Sequence, residues 1–139
     1  MPAFHPDIPK DPVCPPLAAK PVKVMIYRGV RKMPLDEKEH FTSHAELKRK
    51  NCNPKDCTHW GLSVWMTTEA VEHARKIMPW LSAWCIASGT LDVDDGVLMP
   101  TPNDGQPDHH TFWKYFGREI AGKFKIVMKP VPPAPKPAP

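Results

Sequence analysis

PVKVMIYRGV, residues 21–30, is the stretch on which the reading of this chain turns. Val22, Val24 and Ile26 alternate with Lys23, Met25 and Tyr27, the period-two pattern of a half-buried strand, and Arg28 and Gly29 follow at its end. Downstream, LDEKEHFTSHAELKRK (35–50) is rich in helix formers, with acids first and bases last, which suits the helix dipole and predicts a helix over Leu35–Lys50. NCNPKDCTH carries turn residues, and the short, apolar, aromatic WGLSVWM (60–66) reads as a second strand. Thr67 or Thr68 caps a second helix, whose Ala70, Val71, Ala74, Ile77 and Met78 share one face before Pro79 ends it. AWCIASGTL (83–91) reads as a buried strand, DVDDG as a turn, and VLMPTPNDGQPDHH (97–110) as a long loop. HTFWKYFGREI (110–120) fits a short helix or a strand, and KFKIVM (123–128) alternates as a closing strand. The order β-α-β-α-β-loop-β predicts an α+β fold: a small, mixed, mostly antiparallel sheet with two to three helices.

The chain has 139 residues, a length suited to one domain. Proline supplies seven of the first 21 residues and six of the last ten. Because proline fixes φ and removes a backbone donor, both ends read as extended, solvated segments. The expected division is a proline-rich N-terminal extension (1–21), one α+β domain (22–128) and a proline-rich C-terminal tail (129–139). Nineteen basic and 15 acidic residues leave a formal charge of +4, with Lys48, Arg49 and Lys50 as one short basic run. That balance permits an anionic partner such as nucleic acid without selecting one. No apolar stretch approaches the ~20 residues of a membrane span, and the N-terminus lacks a signal-peptide pattern, so a cytoplasmic protein with no membrane partner is expected. In that setting Cys14, Cys52, Cys57 and Cys85 are expected as reduced, buried thiols.

Three separated stretches carry a resemblance. IYRGV resembles the first motif of the arginine-serine-glutamate class of ADP-ribosyltransferases, with Arg28 in the place of the strand arginine. WGLSVWMTTEAVEHARK resembles the serine motif that precedes a helix, with Ser63 in the serine's place and Val64 and Trp65 where the family repeats Thr and Ser. GREIAGKFKIV resembles the late element in which a glutamate starts a strand. Glu119 takes that place, and Gly117 stands where the family has an acidic or amide residue. The resemblance, spanning roughly residues 24–128, implies a small NAD-binding enzyme that transfers ADP-ribose to a macromolecular acceptor, a protein foremost and nucleic acid as an open possibility. A toxin, effector or phage-borne modifier would suit the length. Arg28, Gly29, Ser63 and Trp65 would hold NAD as substrate. Arg28 would clamp phosphate, since a guanidinium offers bidentate donors and stays charged. Ser63 would support the ribose and Glu119 the cationic ribosyl centre, so Arg28, Ser63 and Glu119 form the implied catalytic set.

Two further clusters stand apart. His40, His44, Cys52, Cys57 and His59 fall within twenty residues, with the two helix-spaced histidines on one expected helix face, but their spacing matches no zinc-finger pattern and zinc is disfavoured. Asp104, Asp108, His109 and His110 crowd the long loop, where a histidine could serve as a general base, which leaves a His-based nuclease as an alternative. A non-enzymatic interaction module, an inhibitor or adaptor presenting Trp60, Trp65 and the proline tails, is the other alternative.

Overall fold

The alternation at the start of the domain does produce a strand, and it runs further than the periodicity indicates: β1 covers Val24–Val30, so Arg28 lies within the strand. The computed structural model describes residues 3–132. In it α1 (Glu37–His40), β2 (Leu62–Val64), α2 (Thr68–Ile77), α3 (Pro79–Ser82), β3 (Cys85–Leu91), β4 (Gly96–Pro100), β5 (His110–Lys114) and β6 (Phe124–Met128) follow β1. Two antiparallel sheets of three strands form, in the orders β1-β3-β6 and β2-β5-β4. One antiparallel bridge between Tyr27 and Trp65 links them, so the six strands read β4-β5-β2-β1-β3-β6 across the molecule. The fold is a small α+β fold, as expected, and both sheets are antiparallel throughout.

The second helix forms as predicted. Thr67 caps it by accepting from the Ala70 N–H, and Ala70, Val71 and Ala74 are buried on its inner face against Trp65, Leu81 and Ile86. The first helix is far shorter than predicted. Asp36 caps it, but it ends at His40, where His40 and the fully buried Phe41 both turn inward. Beyond it, Thr42 returns a hydrogen bond to the Glu37 carbonyl, Ser43 accepts from the Glu46 N–H, and Lys48 adopts φ 55°. These local bonds compete with helix continuation. The apolar VLMP, read as part of a loop, is strand β4, and HTFWK resolves to strand β5. Both are edge-to-centre partners whose burial depends on sheets assembled from distant residues.

The N-terminal extension also departs from its expectation. Ile8, Cys14 and Ala19 are buried with Trp60, Val97 and Trp113 in a cluster of their own, and Lys20 pairs with Leu98 at the edge of β4. Residues 3–20 are therefore part of the folded body, and proline there sets the path of a packed segment. Cys14 is joined to Cys57 by a disulfide, which replaces the expected reduced thiols at these two positions, while Cys52 and Cys85 are free. The bond closes a loop of 43 residues in sequence. Loop-closure entropy for that length corresponds to ~4 kcal/mol. Cys14→Ser is accordingly expected to lower the Tm by about 10 °C or more in a thermal scan, a shift that reduction of the wild type should reproduce. Of the C-terminal tail, residues 133–139 lie outside the described part of the chain. Before them, Val131 N–H donates to the Ser82 carbonyl.

Candidate functional site

Where the two sheets meet, the backbone ladder is one residue pair long. Tyr27 and Trp65 exchange both main-chain hydrogen bonds, at 2.7 and 2.9 Å, and beyond them no ladder continues between β1 and β2. The Arg28 side chain occupies that seam instead. Its Nη1 donates to the Ser63 carbonyl at 2.8 Å and its Nε to the His40 carbonyl at 2.6 Å. The seam opens into a cavity of about 610 Å³. Its walls come from β1, α1, the 3-10 turn Cys57–Trp60, β2, α3 and the loop before β5. That volume lies within the ~300–1,000 Å³ of small-molecule sites.

The cavity is cationic. Arg28, Arg31 and Arg49 line it together with His40, His44, His59 and His109, and Glu39 is the carboxylate among its lining residues. Glu39 lies 3.6 Å from Arg49, while Arg28 and Arg31 have no carboxylate partner among the described residues. Burial, with the charge of Arg49 adding to it, brings the Arg28 pKa down to about 10, so the guanidinium still carries its charge at neutral pH. A partly desolvated cation whose donors reach only neutral carbonyls can gain from an anionic ligand. Trp80 and Trp84, packed edge to face with ring centroids 4.8 Å apart, add an aromatic wall, and Trp80 is half exposed at the rim.

Opposite Arg28, a polar relay reaches the cavity. His109 Nε2 lies 3.0 Å from the Ser63 hydroxyl. Its Nδ1 lies 3.1 Å from the Thr101 carbonyl and 2.9 Å from the Thr101 hydroxyl, which itself lies 2.7 Å from the Thr111 hydroxyl. With the ring proton on Nδ1, shared with the Thr101 carbonyl, Nε2 accepts from the Ser63 hydroxyl. Burial holds the His109 pKa below its ordinary value, outweighing the opposing bond to the Thr101 carbonyl. The loop that presents His109 is anchored at several points. Trp65 Nε1 donates to the buried Gln106, His73 Nε2 meets the Gly105 carbonyl at 2.7 Å, and Trp65 packs edge to face against the His109 ring.

His40, His44 and His109 all have pKa values lowered, in each case chiefly by burial. The unfolded chain therefore binds more protons than the folded one below the ordinary histidine value of about 6.5, and stability falls with falling pH in that window. Their contribution is fully present above pH 6.5 and lost as pH drops toward the lower folded values. Urea midpoints measured at pH 7.5 and pH 5.5 should decline accordingly, and His109→Gln should reduce the difference.

Arg28, Gly29, Ser63 and Trp65, all proposed from sequence, line this one cavity. The part played by Gly29 is packing, since a Cβ there would run into the Leu81 side chain. Glu119 does not join them. It is exposed after the turn that follows β5, and it is not among the cavity residues. The strand it precedes is β6, on the far edge of the other sheet, whereas the strand paired with β2 is β5. Its neighbours Arg118 and Lys123 are both engaged by the fully buried Asp95, at 2.8 and 2.6 Å. His109, noted in the sequence for a different chemistry, lies just ahead of β5 and lines the cavity, which Glu119 does not. His110 faces elsewhere, with Nδ1 3.0 Å from the Asp108 carbonyl, because successive residues of an extended segment point to opposite sides. Arg49 and Trp84 were not singled out as site residues. Arg49 belongs to a short basic run that reads as solvated surface, and Trp84 to an apolar strand.

The His/Cys cluster is separated. Cys57 is in the disulfide, His40 Nδ1 accepts from the Asp36 N–H, and His40 and His44 do not share a helix. Among the described residues no group of three or more His, Cys, Asp and Glu side chains is placed to hold a metal ion. Nor, among them, is any helix long and apolar enough to cross a membrane. Fold and site define a small α+β protein with two antiparallel sheets and a cation-walled cavity at their seam. In comparisons with protein-family models, curated proteins and solved structures, nothing matches this chain.

Proposed function

We propose that the seam cavity binds NAD and that the protein transfers ADP-ribose to a macromolecular acceptor or releases it by hydrolysis. The observation that carries this reading is the Arg28 guanidinium: charged, half-buried in the seam, held by two carbonyls and without a carboxylate partner among the described residues. A dinucleotide suits the surroundings as well. Its pyrophosphate would meet Arg28 with Arg49 and Arg31 nearby, and one of its rings would stack on the Trp80–Trp84 wall.

In this reading His109 does the proton chemistry. Neutral at pH 7, its Nε2 would exchange the Ser63 hydroxyl for water or an acceptor hydroxyl delivered beside Ser63 and take that proton, as the nucleophile bonds to the ribosyl carbon and nicotinamide leaves with the electron pair. Ser63 would orient the nucleophile or the ribose hydroxyls through its Oγ. The resemblance placed a carboxylate at the ribosyl centre. The carboxylate lining this cavity is Glu39, and Arg49 stands against it.

A toxin or effector role fits the Cys14–Cys57 bond, because disulfides persist in oxidising compartments and in exported proteins. We therefore favour a protein that is delivered or secreted over one resident in the cytoplasm. Calorimetric titration of the full chain with NAD tests the reading. A saturable signal is expected, and its absence would leave the non-enzymatic interaction module as the reading to pursue.

A further inference from the structure

Beside the seam cavity lies a second, smaller one of about 300 Å³, lined by His44, Arg49, Lys50, Asn51, Cys52 and His59. His44, Arg49 and His59 line both, so the two are lobes of one cleft with Arg49 at their junction. We propose that this second lobe binds the phosphate backbone of a single-stranded nucleic acid, and that this strand is the acceptor presented to the seam cavity. The inference rests on the ADP-ribosyl reading for the word acceptor, and on the lobe's own chemistry for the ligand class.

No carboxylate lines the lobe, and Lys50 has no ion-pair partner among the described residues. Arg49 is aimed rather than free, with Nη1 3.2 Å from His44 Nδ1 and Nη2 3.6 Å from Glu39. The bond to Nδ1 leaves the His44 Nε2–H as a donor. His59 is fixed in turn by the Asn53 N–H, which donates to its Nδ1 at 2.9 Å, and its Nε2 lies 3.6 Å from Asp56 outside the lining. Lys48 and Lys55, close to these residues in sequence, are exposed as well. Adjacent cations with no carboxylate between them suit a phosphate backbone.

The transfer balances without a further reagent. An acceptor hydroxyl oxygen bonds to the ribosyl C1′, the C1′–nicotinamide bond breaks with its electrons on nicotinamide, and the hydroxyl proton passes to His109 Nε2 and then to solvent.

The test is anisotropy of a labelled ten-nucleotide single-stranded RNA against the full chain at several salt concentrations, with calorimetry of NAD in parallel. Lys50 does not line the seam cavity, so Lys50→Glu should weaken RNA binding about tenfold and lower the salt slope by about one while leaving NAD affinity unchanged. RNA binding that ignores Lys50→Glu, or NAD binding with no RNA binding, would overturn the proposal. A phosphopeptide of equal charge that binds as tightly and with the same sensitivity would overturn the choice of nucleic acid. RNA binding without NAD binding would uphold the phosphate lobe and overturn its role as the acceptor's subsite.

Discussion

Arg28→Ala is expected to lower the affinity for NAD by about a hundredfold or more, since charge-assisted hydrogen bonds contribute ~1.5–3 kcal/mol each and a phosphate would receive two. The same change removes the two bonds that tie β1 to the Ser63 and His40 carbonyls, so the seam itself loosens. A thermal scan separates the two consequences. Arg28→Lys keeps the charge and loses the planar fork, and it should bind NAD with intermediate affinity. If Arg28→Ala remains folded and still binds NAD within twofold of the wild type, the cavity's unsatisfied cation is not a phosphate site and the proposed function falls.

The second large effect is expected on turnover. His109→Asn should reduce kcat by about 10²–10⁴, the range that a positioned general base contributes, with little change in NAD affinity. Glu119→Gln should leave kcat within about twofold, since Glu119 is exposed and outside the cavity. The wild-type kcat/KM should fall on the acid side at a pKa below 6.5, because burial lowers the His109 value and only the neutral ring accepts a proton. That acid limb should be missing from the residual activity of His109→Asn. Loss of turnover in Glu119→Gln with retention in His109→Asn would reverse the assignment.

The strand β1 and the helix α2 could be read from the chain because their causes are local. The alternation of Val22, Val24 and Ile26 marked β1, and Thr67 with the apolar face of Ala70, Val71 and Ala74 marked α2 with its cap. The helix expected over Leu35–Lys50 failed for a non-local reason. Phe41 is wanted in the core against Phe124, eighty-odd residues away, and that demand outweighs the helix propensity of the segment. Glu37 shows the same control from a distance, since its carboxylate accepts from the Ile120 and Ala121 N–H groups and from Lys114, pinning α1 to the far end of the chain.

The site divides along the same line. Arg28 and Ser63 could be proposed because each sits in a recognisable strand stretch, and the structure brings both to one cavity. Glu119, expected from its place ahead of KFKIV, lies outside that cavity, and KFKIV and HTFWK are both short runs that the sequence does not place relative to the seam. Only the pairing of β5 with β2 shows which of them borders the seam. The N-terminal prolines misled for a related reason. Proline content describes backbone preference, whereas burial of Ile8, Cys14 and Ala19 depends on Trp60 and Trp113 being there to receive them. Sequence alone determined the fold class, the strand that carries Arg28 and the capped helix after β2, each set by contacts within a few residues. Tertiary structure decided which strand meets which, hence that His109 rather than Glu119 joins Arg28 at the cavity, and that exposed Arg49 lines it. Pairing register and cavity walls are set by residues tens of positions apart, and no local pattern records which distant partner a strand will choose.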